Sequence, residues 1–209
     1  MEIEIGTKNV DIEKLRKGKN PEQKKVISYF LDNERCCFGE KVTDKEIDEI
    51  VQAKTNELSK NMVFGRLGIA EEHVTALAPV QFKGYVIDNA FVKKGKDGVF
   101  RSSRYQVSWL FFSNEQVYFY QKTFSLIDDS KKENIEEYFY KDITSFSSLI
   151  NTEQYSVYDK NGEIVAHGSL DSQYFALTVP GEKMLCATGI GCDNVIRGMK
   201  ELLREKKNE

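Results

Sequence analysis

Between Tyr105 and Phe124 the chain reads YQVSWLFFSNEQVYFYQKTF, two aromatic-rich segments joined by the polar tetrapeptide Ser113–Gln116. Tyr, Phe, Trp and Val at this density suit a pleated, half-buried surface, and the short polar break is a hairpin signal. The stretch therefore commits this part of the chain to antiparallel strands. It also sets a packing problem. Tyr105, Trp109 and Phe111 fall on one alternating face and Phe112 on the other, whereas a strand buried on one side alternates apolar with polar. Both faces need cover, because large exposed apolar patches are rare in soluble monomers. The cover comes from packing within one protein, from the N-terminal helices or from a partner.

Helices are expected before this region and strands after it. Asn20-Pro21-Glu22 reads as a helix start, with Asn as cap, Pro at the first helical position and Glu at the positive end of the dipole. Val26, Ile27, Phe30 and Leu31 then recur at helical spacing. Thr43-Asp44-Lys45-Glu46 is a capping-box pattern, followed by the stripe Ile47, Ile50, Val51 and Leu58. Gly65 and Gly68 are expected to end the helical region, with a short helical turn within Ile69–Leu77.

From Phe82 onward Tyr, Phe and Val dominate and the breaks become Gly, Asp, Asn and Ser. Punctuation predicts strands at Lys83–Val92, Arg104–Phe112, Val117–Phe124, Glu136–Thr144, Gln154–Tyr158, Glu163–His167, Tyr174–Val179 and Lys183–Thr188. Turns fall at Lys94–Gly98, in a polar loop at Asp128–Glu133, and at Asp159–Gly162, where Asn-Gly supplies the positive φ of a tight hairpin. The short breaks favour an antiparallel meander. Val195, Ile196, Met199, Leu202 and Leu203 then make the apolar stripe of a C-terminal amphipathic helix, Asp193–Lys206. The expected fold is α+β, an N-terminal helical region over 1–77 followed by a β domain over 78–209.

Seven or eight antiparallel strands closed by one amphipathic helix resembles a pleckstrin-homology-like (PH-like) barrel, in which two sheets pack orthogonally and the helix plugs an open end. Tyr140-Lys141-Asp142-Ile143-Thr144-Ser145-Phe146 resembles a strand-to-strand passage of bacterial PH-like domains. Four pieces together are similar to an uncharacterised family of soluble bacterial proteins: Lys83-Gly84-Tyr85, Gly95-Lys96-Asp97-Gly98 with Arg101-Ser102-Ser103, Tyr105–Tyr120, and Tyr138–Ile143. The likeness extends through Phe175–Gly181 and Gly198–Lys206. It implies a fold and no activity.

The 209 residues carry a formal net charge of −3, which gives no global field to draw in nucleic acid or anionic membrane. The Asn20–Lys60 helices lack a basic recognition helix, so DNA binding is not expected. No run approaches the roughly twenty apolar residues of a membrane-spanning helix, and the N-terminus lacks the apolar core of a secretory signal. A cytoplasmic protein is expected, with Cys36, Cys37, Cys186 and Cys192 reduced.

Lys93, Lys94, Lys96, Arg101 and Arg104 cluster in and beside the first hairpin. Ammonium and guanidinium groups there suit phosphate, and PH domains that bind phosphoinositides grip them from this element. Lys94, Lys96, Arg101 and Arg104 are thus candidate ligands for an anionic group or phospholipid headgroup. The competing reading is a solvated basic turn interrupted by Asp97. Gly189-Ile190-Gly191 precedes the last helix, but a dinucleotide site would need a following βαβ unit. Cys192 at that helix start is a candidate low-pKa thiol and would make the chain a thiol-dependent enzyme or redox sensor, though neither His73 nor His167 is spaced to serve it. Cys36-Cys37 lacks the gap of a zinc site. The carboxylate pairs Asp128-Asp129 and Glu136-Glu137 read as turn and strand-end solvation. With no catalytic set, metal or cofactor expected, the chain reads as a non-enzymatic binding or scaffolding protein that engages a protein partner or itself.

Overall fold

A computed structural model describes residues 5–6, 8–31, 41–74, 76–188 and 193–208. Cys36, Cys37, Cys192 and the Gly189-Ile190-Gly191 turn lie outside the described residues. The described chain is α+β, with helices first, antiparallel sheets next and a helix last.

Local chemistry sets the helix starts. In α1 (Ile12–Arg16) Asp11 caps the Lys14 amide. Before α2 (Pro21–Leu31), Asn20 Oδ1 accepts from the Gln23 amide at 2.8 Å and Gln23 Oε1 accepts from the Asn20 amide at 3.1 Å. Thr43 and Glu46 form the same reciprocal box at the start of α3 (Asp44–Asn56). Helix α4 (Lys60–Leu67) starts on Ser59 and runs through Gly65. It ends at Gly68, whose φ of 67° is the left-handed conformation that a helix C-terminus asks of glycine. A single 3-10 turn, Glu71–His73, leads to the sheets.

The first sheet has the order β1-β4-β5-β6, from β1 (Leu77–Tyr85), β4 (Arg104–Phe112), β5 (Gln116–Ser125) and β6 (Lys131–Phe139). The predicted hairpin is β4 and β5, paired from Arg104↔Ser125 to Phe112↔Val117. Between β1 and β4 lies a small hairpin of β2 (Val92–Lys94) and β3 (Phe100–Ser102). The third sheet, β7-β8-β9, consists of β7 (Ser145–Tyr158), β8 (Ile164–Val179) and β9 (Glu182–Ala187).

Several sequence boundaries move. The first strand spans Leu77–Tyr85 rather than Lys83–Val92, because its apolar positions Val80 and Phe82 face the core. The polar segment at Lys131–Glu133 is strand, held by backbone pairing to Lys122–Phe124 although its side chains face solvent. The predicted strand Glu136–Thr144 stops at Phe139, and Tyr140–Asp142 is a 3-10 turn. Glu163–His167 and Tyr174–Val179 are parts of one 16-residue strand. A backbone ladder needs no apolar signal, so charge and Gly168 hid its continuity.

The aromatic problem is resolved inside the molecule. Leu110 and Phe112 join Val80, Phe82, Val117 and Phe119 against Phe175, Leu177 and Met184 of the third sheet and Ile196, Met199, Leu202 and Leu203 of α5 (Asp193–Asn208). On the opposite face Tyr105, Val107 and Phe124 pack on α1 to α3 through Leu15, Val26, Ile27, Phe30 and Val51. Phe111 and Tyr120 meet Val63 and Phe64 of α4, and Trp109 Nε1 donates to the Leu58 carbonyl at 3.0 Å. Val107, Phe111 and Tyr120 are wholly buried, each contributing about 1.5–3 kcal/mol of apolar transfer. Val195, by contrast, is solvent-exposed on α5.

The expected closed barrel is not what the strands form. They make three separate sheets. The first and third meet by side chains where Gly84 lets β9 approach: a Cβ there would lie 3.1 Å from that of Ala187. Gln106 Oε1 accepts from the Ala187 amide at 2.7 Å, and Gln121 Nε2 donates to the Leu185 carbonyl at 2.8 Å. Two glutamine side chains thus stand where a continuous ladder would close the sheets.

Candidate functional site

The four sequence candidates do not converge. Arg101, on β3, is 3 % exposed. Its Nε and Nη2 donate to the two carboxylate oxygens of Asp48 on α3 at 2.8 and 2.7 Å, and Nη1 and Nη2 donate to Asp97 at 3.0 and 2.8 Å. Two bidentate carboxylates use the guanidinium fork. Hydrogen bonding from Arg101, then from the Val99 amide, holds Asp97 down to about 2. Arg101 ties the small hairpin to α3, and its donors are turned inward rather than presented to a ligand.

Lys94 and Lys96 flank Gly95 beside this knot and line a cleft of about 290 Å³ with Lys41, Lys45 and Lys93. Asp44 occupies this cleft too, accepting from Tyr29 Oη and from the Lys96 amide, both at 2.8 Å. Lys93 Nζ donates to the Tyr29 carbonyl at 2.6 Å and stands 4.6 Å over the Tyr29 ring. Lys94 Nζ stands 5.4 Å over Phe100. Much of this basic charge is spent internally.

Arg104 lines a separate cavity of about 490 Å³ between α1, the start of β4 and the β5–β6 turn. Lys19, Lys131 and Lys132 join it, with Ser103, Thr123, Ser125, Ser130 and one carboxylate, Asp128. Arg104 Nη1 donates to the Asp88 carbonyl at 3.0 Å. Among the described residues Lys131 and Lys132 form no ion pair. Partial burial opposes ionisation of Asp128, yet hydrogen bonds from Ser130 outweigh it and hold the carboxyl below its ordinary range.

Ser125 and Ser130 hydrogen-bond Asp128, while the other two hydroxyls are oriented by groups outside the cavity. Ser103 Oγ accepts from the Phe91 amide at 2.9 Å, and Thr123 Oγ1 accepts from Gln106 Nε2 at 3.1 Å. A hydroxyl whose oxygen already accepts has its own proton left to donate. Buried hydroxyls arranged as donors beside uncommitted ammonium groups suit an anion. Sequence reading missed Lys19, Lys131, Lys132 and these hydroxyls. The one signal in the sequence is Lys131-Lys132 within the polar segment Asp128–Glu133.

Ser156 Oγ lies 3.0 Å from His167 Nδ1, but it donates to the Gly6 carbonyl at 2.6 Å. Its proton points away from the imidazole, so the pair is not a nucleophile with its base. Burial pushes the Cys186 thiol up to about 12, against hydrogen bonds with Ser108 and Gln121. That thiol is inert. Among the described residues, no three or more His, Cys, Asp or Glu are grouped to hold a metal ion, and no helix is long and apolar enough to cross a membrane.

Compared with family models, curated proteins and solved structures, the chain matches none.

Proposed function

We propose that the chain is a non-enzymatic binding protein built on a PH-like domain, and that it holds an anionic group in the cavity lined by Arg104, Lys19, Lys131 and Lys132. A four-stranded antiparallel sheet followed by a three-stranded one, with a C-terminal helix on their shared core, supports the PH-like reading. The basic cavity with its oriented hydroxyls is the observation that carries the ligand reading. It keeps Arg104 from the sequence candidates and replaces Lys94, Lys96 and Arg101 with lysines from α1 to α2 and from β6. An anionic metabolite and a phospholipid headgroup share this chemistry.

Calorimetric titration with inorganic pyrophosphate, and flotation with phosphatidylcholine vesicles with and without phosphatidylserine, separate the two sources. Salt-sensitive binding is expected in one arm, with at least a tenfold loss in Lys19→Glu/Arg104→Glu. Binding that is indifferent to this double reversal, or absent from both arms, defeats the reading. The Lys94→Glu/Lys96→Glu variant is the control, expected to bind as the parent does.

A further inference from the structure

The four-stranded sheet has two edge strands: β1 lies against β9 at Gly84, whereas β6, among the described residues, pairs with β5 on one side only. Its side chains are largely exposed, Ile135 at 44 % among them. Natural proteins blunt such edges with charge, since unpaired N–H and C=O groups invite another strand. Charge of one sign would repel a second copy in every register. Lys131-Lys132-Glu133-Asn134-Ile135-Glu136-Glu137 instead changes sign about Asn134.

Laid antiparallel to a copy of itself with Asn134 opposite Asn134, the strand sets Lys131 against Glu137 and Lys132 against Glu136, and the two-fold axis repeats both pairs. Residues of like parity then share a face: Lys131 and Glu137 on the helix-covered side, Lys132 and Glu136 on the other. Ile135 comes opposite Glu133, whose carboxylate is already held within its own chain by Tyr120 Oη at 2.7 Å and Arg66 Nε at 3.9 Å. Slipping two residues either way places Glu133 against Glu137 or against itself. Opposite charges across a strand pair stabilise it and like charges oppose it, so one register is selected.

We infer that β6 is a self-association edge, on which two copies of this chain pair antiparallel about Asn134 and join their four-stranded sheets across a two-fold axis. Such isologous contacts are the commonest form of self-association. A single strand pair belongs with the smaller interfaces, below about 1,200 Å². Association is therefore weak, concentration-dependent and sensitive to salt.

Sedimentation equilibrium of the full chain from micromolar to millimolar concentration tests this. At low salt the average mass should climb from 24.0 kDa towards the dimer. Lys131→Glu/Lys132→Glu and Glu136→Lys/Glu137→Lys should each associate at least tenfold more weakly, because each sets like charges across the axis. Mixed in equal amounts the two variants should dimerise again, since every pair in the mixed dimer is complementary. The second variant leaves the lysines of the cavity intact, so its loss of association is separate from ligand binding. A parent that stays monomeric throughout, either variant associating as the parent does, or a mixture that stays monomeric overturns the inference.

Discussion

Arg101 shows how one residue's neighbours decide its role. Among the basic residues near the first hairpin it looked as available as Lys94, yet Asp48 and Asp97 bracket its guanidinium within 3.0 Å. Gly95 makes room for the knot: a Cβ there would lie 2.4 Å from Arg101 Nη1 and 2.8 Å from Asp44 Oδ2. Gly95→Ala should therefore destabilise the chain by about 1–3 kcal/mol through overpacking, measured as a lowered urea midpoint with an unchanged slope. Arg101→Met leaves Asp48 and Asp97 half-exposed and able to rehydrate, so its cost should stay near 2 kcal/mol, under that of a fully buried pair. Neither substitution should alter pyrophosphate binding. Sequence spacing could not separate these lysines and arginines, since Asp48 is distant in the chain and reaches Arg101 only after α3 has docked.

Helix starts were the elements most legible in sequence, because caps are local. At α3 the Thr43 and Glu46 box forms as its spacing predicts, and Lys25 of α2 adds an ion pair to Glu46 at 2.5 Å. Bonding to Lys25, then to the Thr43 amide and hydroxyl, holds the Glu46 carboxyl down to about 2, against roughly 4.3 in an unfolded chain. A depressed folded value means that this stabilisation is complete above the unfolded pKa and fades as pH falls from about 4.3 to about 2. With Lys25 38 % and Glu46 35 % exposed, solvent screening limits it to about 1 kcal/mol. Thermal unfolding of Glu46→Gln should thus start below the parent at pH 7 and converge on it towards pH 2. Thr43→Ala should cost about 0.5–2 kcal/mol at neutral pH. Strand limits were less legible: β6 and the middle of β8 face solvent on most side chains and are set by partners on neighbouring strands.

At the scale of the molecule, the first sheet is a slab covered on both faces, by α5 and the third sheet below and by α1 to α4 above. A fragment of residues 76–209 would uncover Val107, Phe111 and Tyr120; it should bind a hydrophobic dye and aggregate where the full chain does not. Lys131 and Lys132 line the cavity and also lie on the β6 edge, so saturating pyrophosphate should shift the sedimentation average towards the monomer. By itself the sequence determined the caps of α2 and α3, the β4–β5 hairpin, the buried stripe of α5 apart from Val195, and the need to cover two aromatic faces, because each follows from local backbone preference and side-chain period; the starts of α1 on Asp11 and α4 on Ser59 went unread. Tertiary structure alone decided that helices cover the second face, that glutamine contacts join the sheets in place of a closing ladder, and that Arg101 is consumed while Arg104 meets Lys19, Lys131 and Lys132. Those outcomes depend on which residues distant in sequence are brought together, and neither period nor composition encodes that distance.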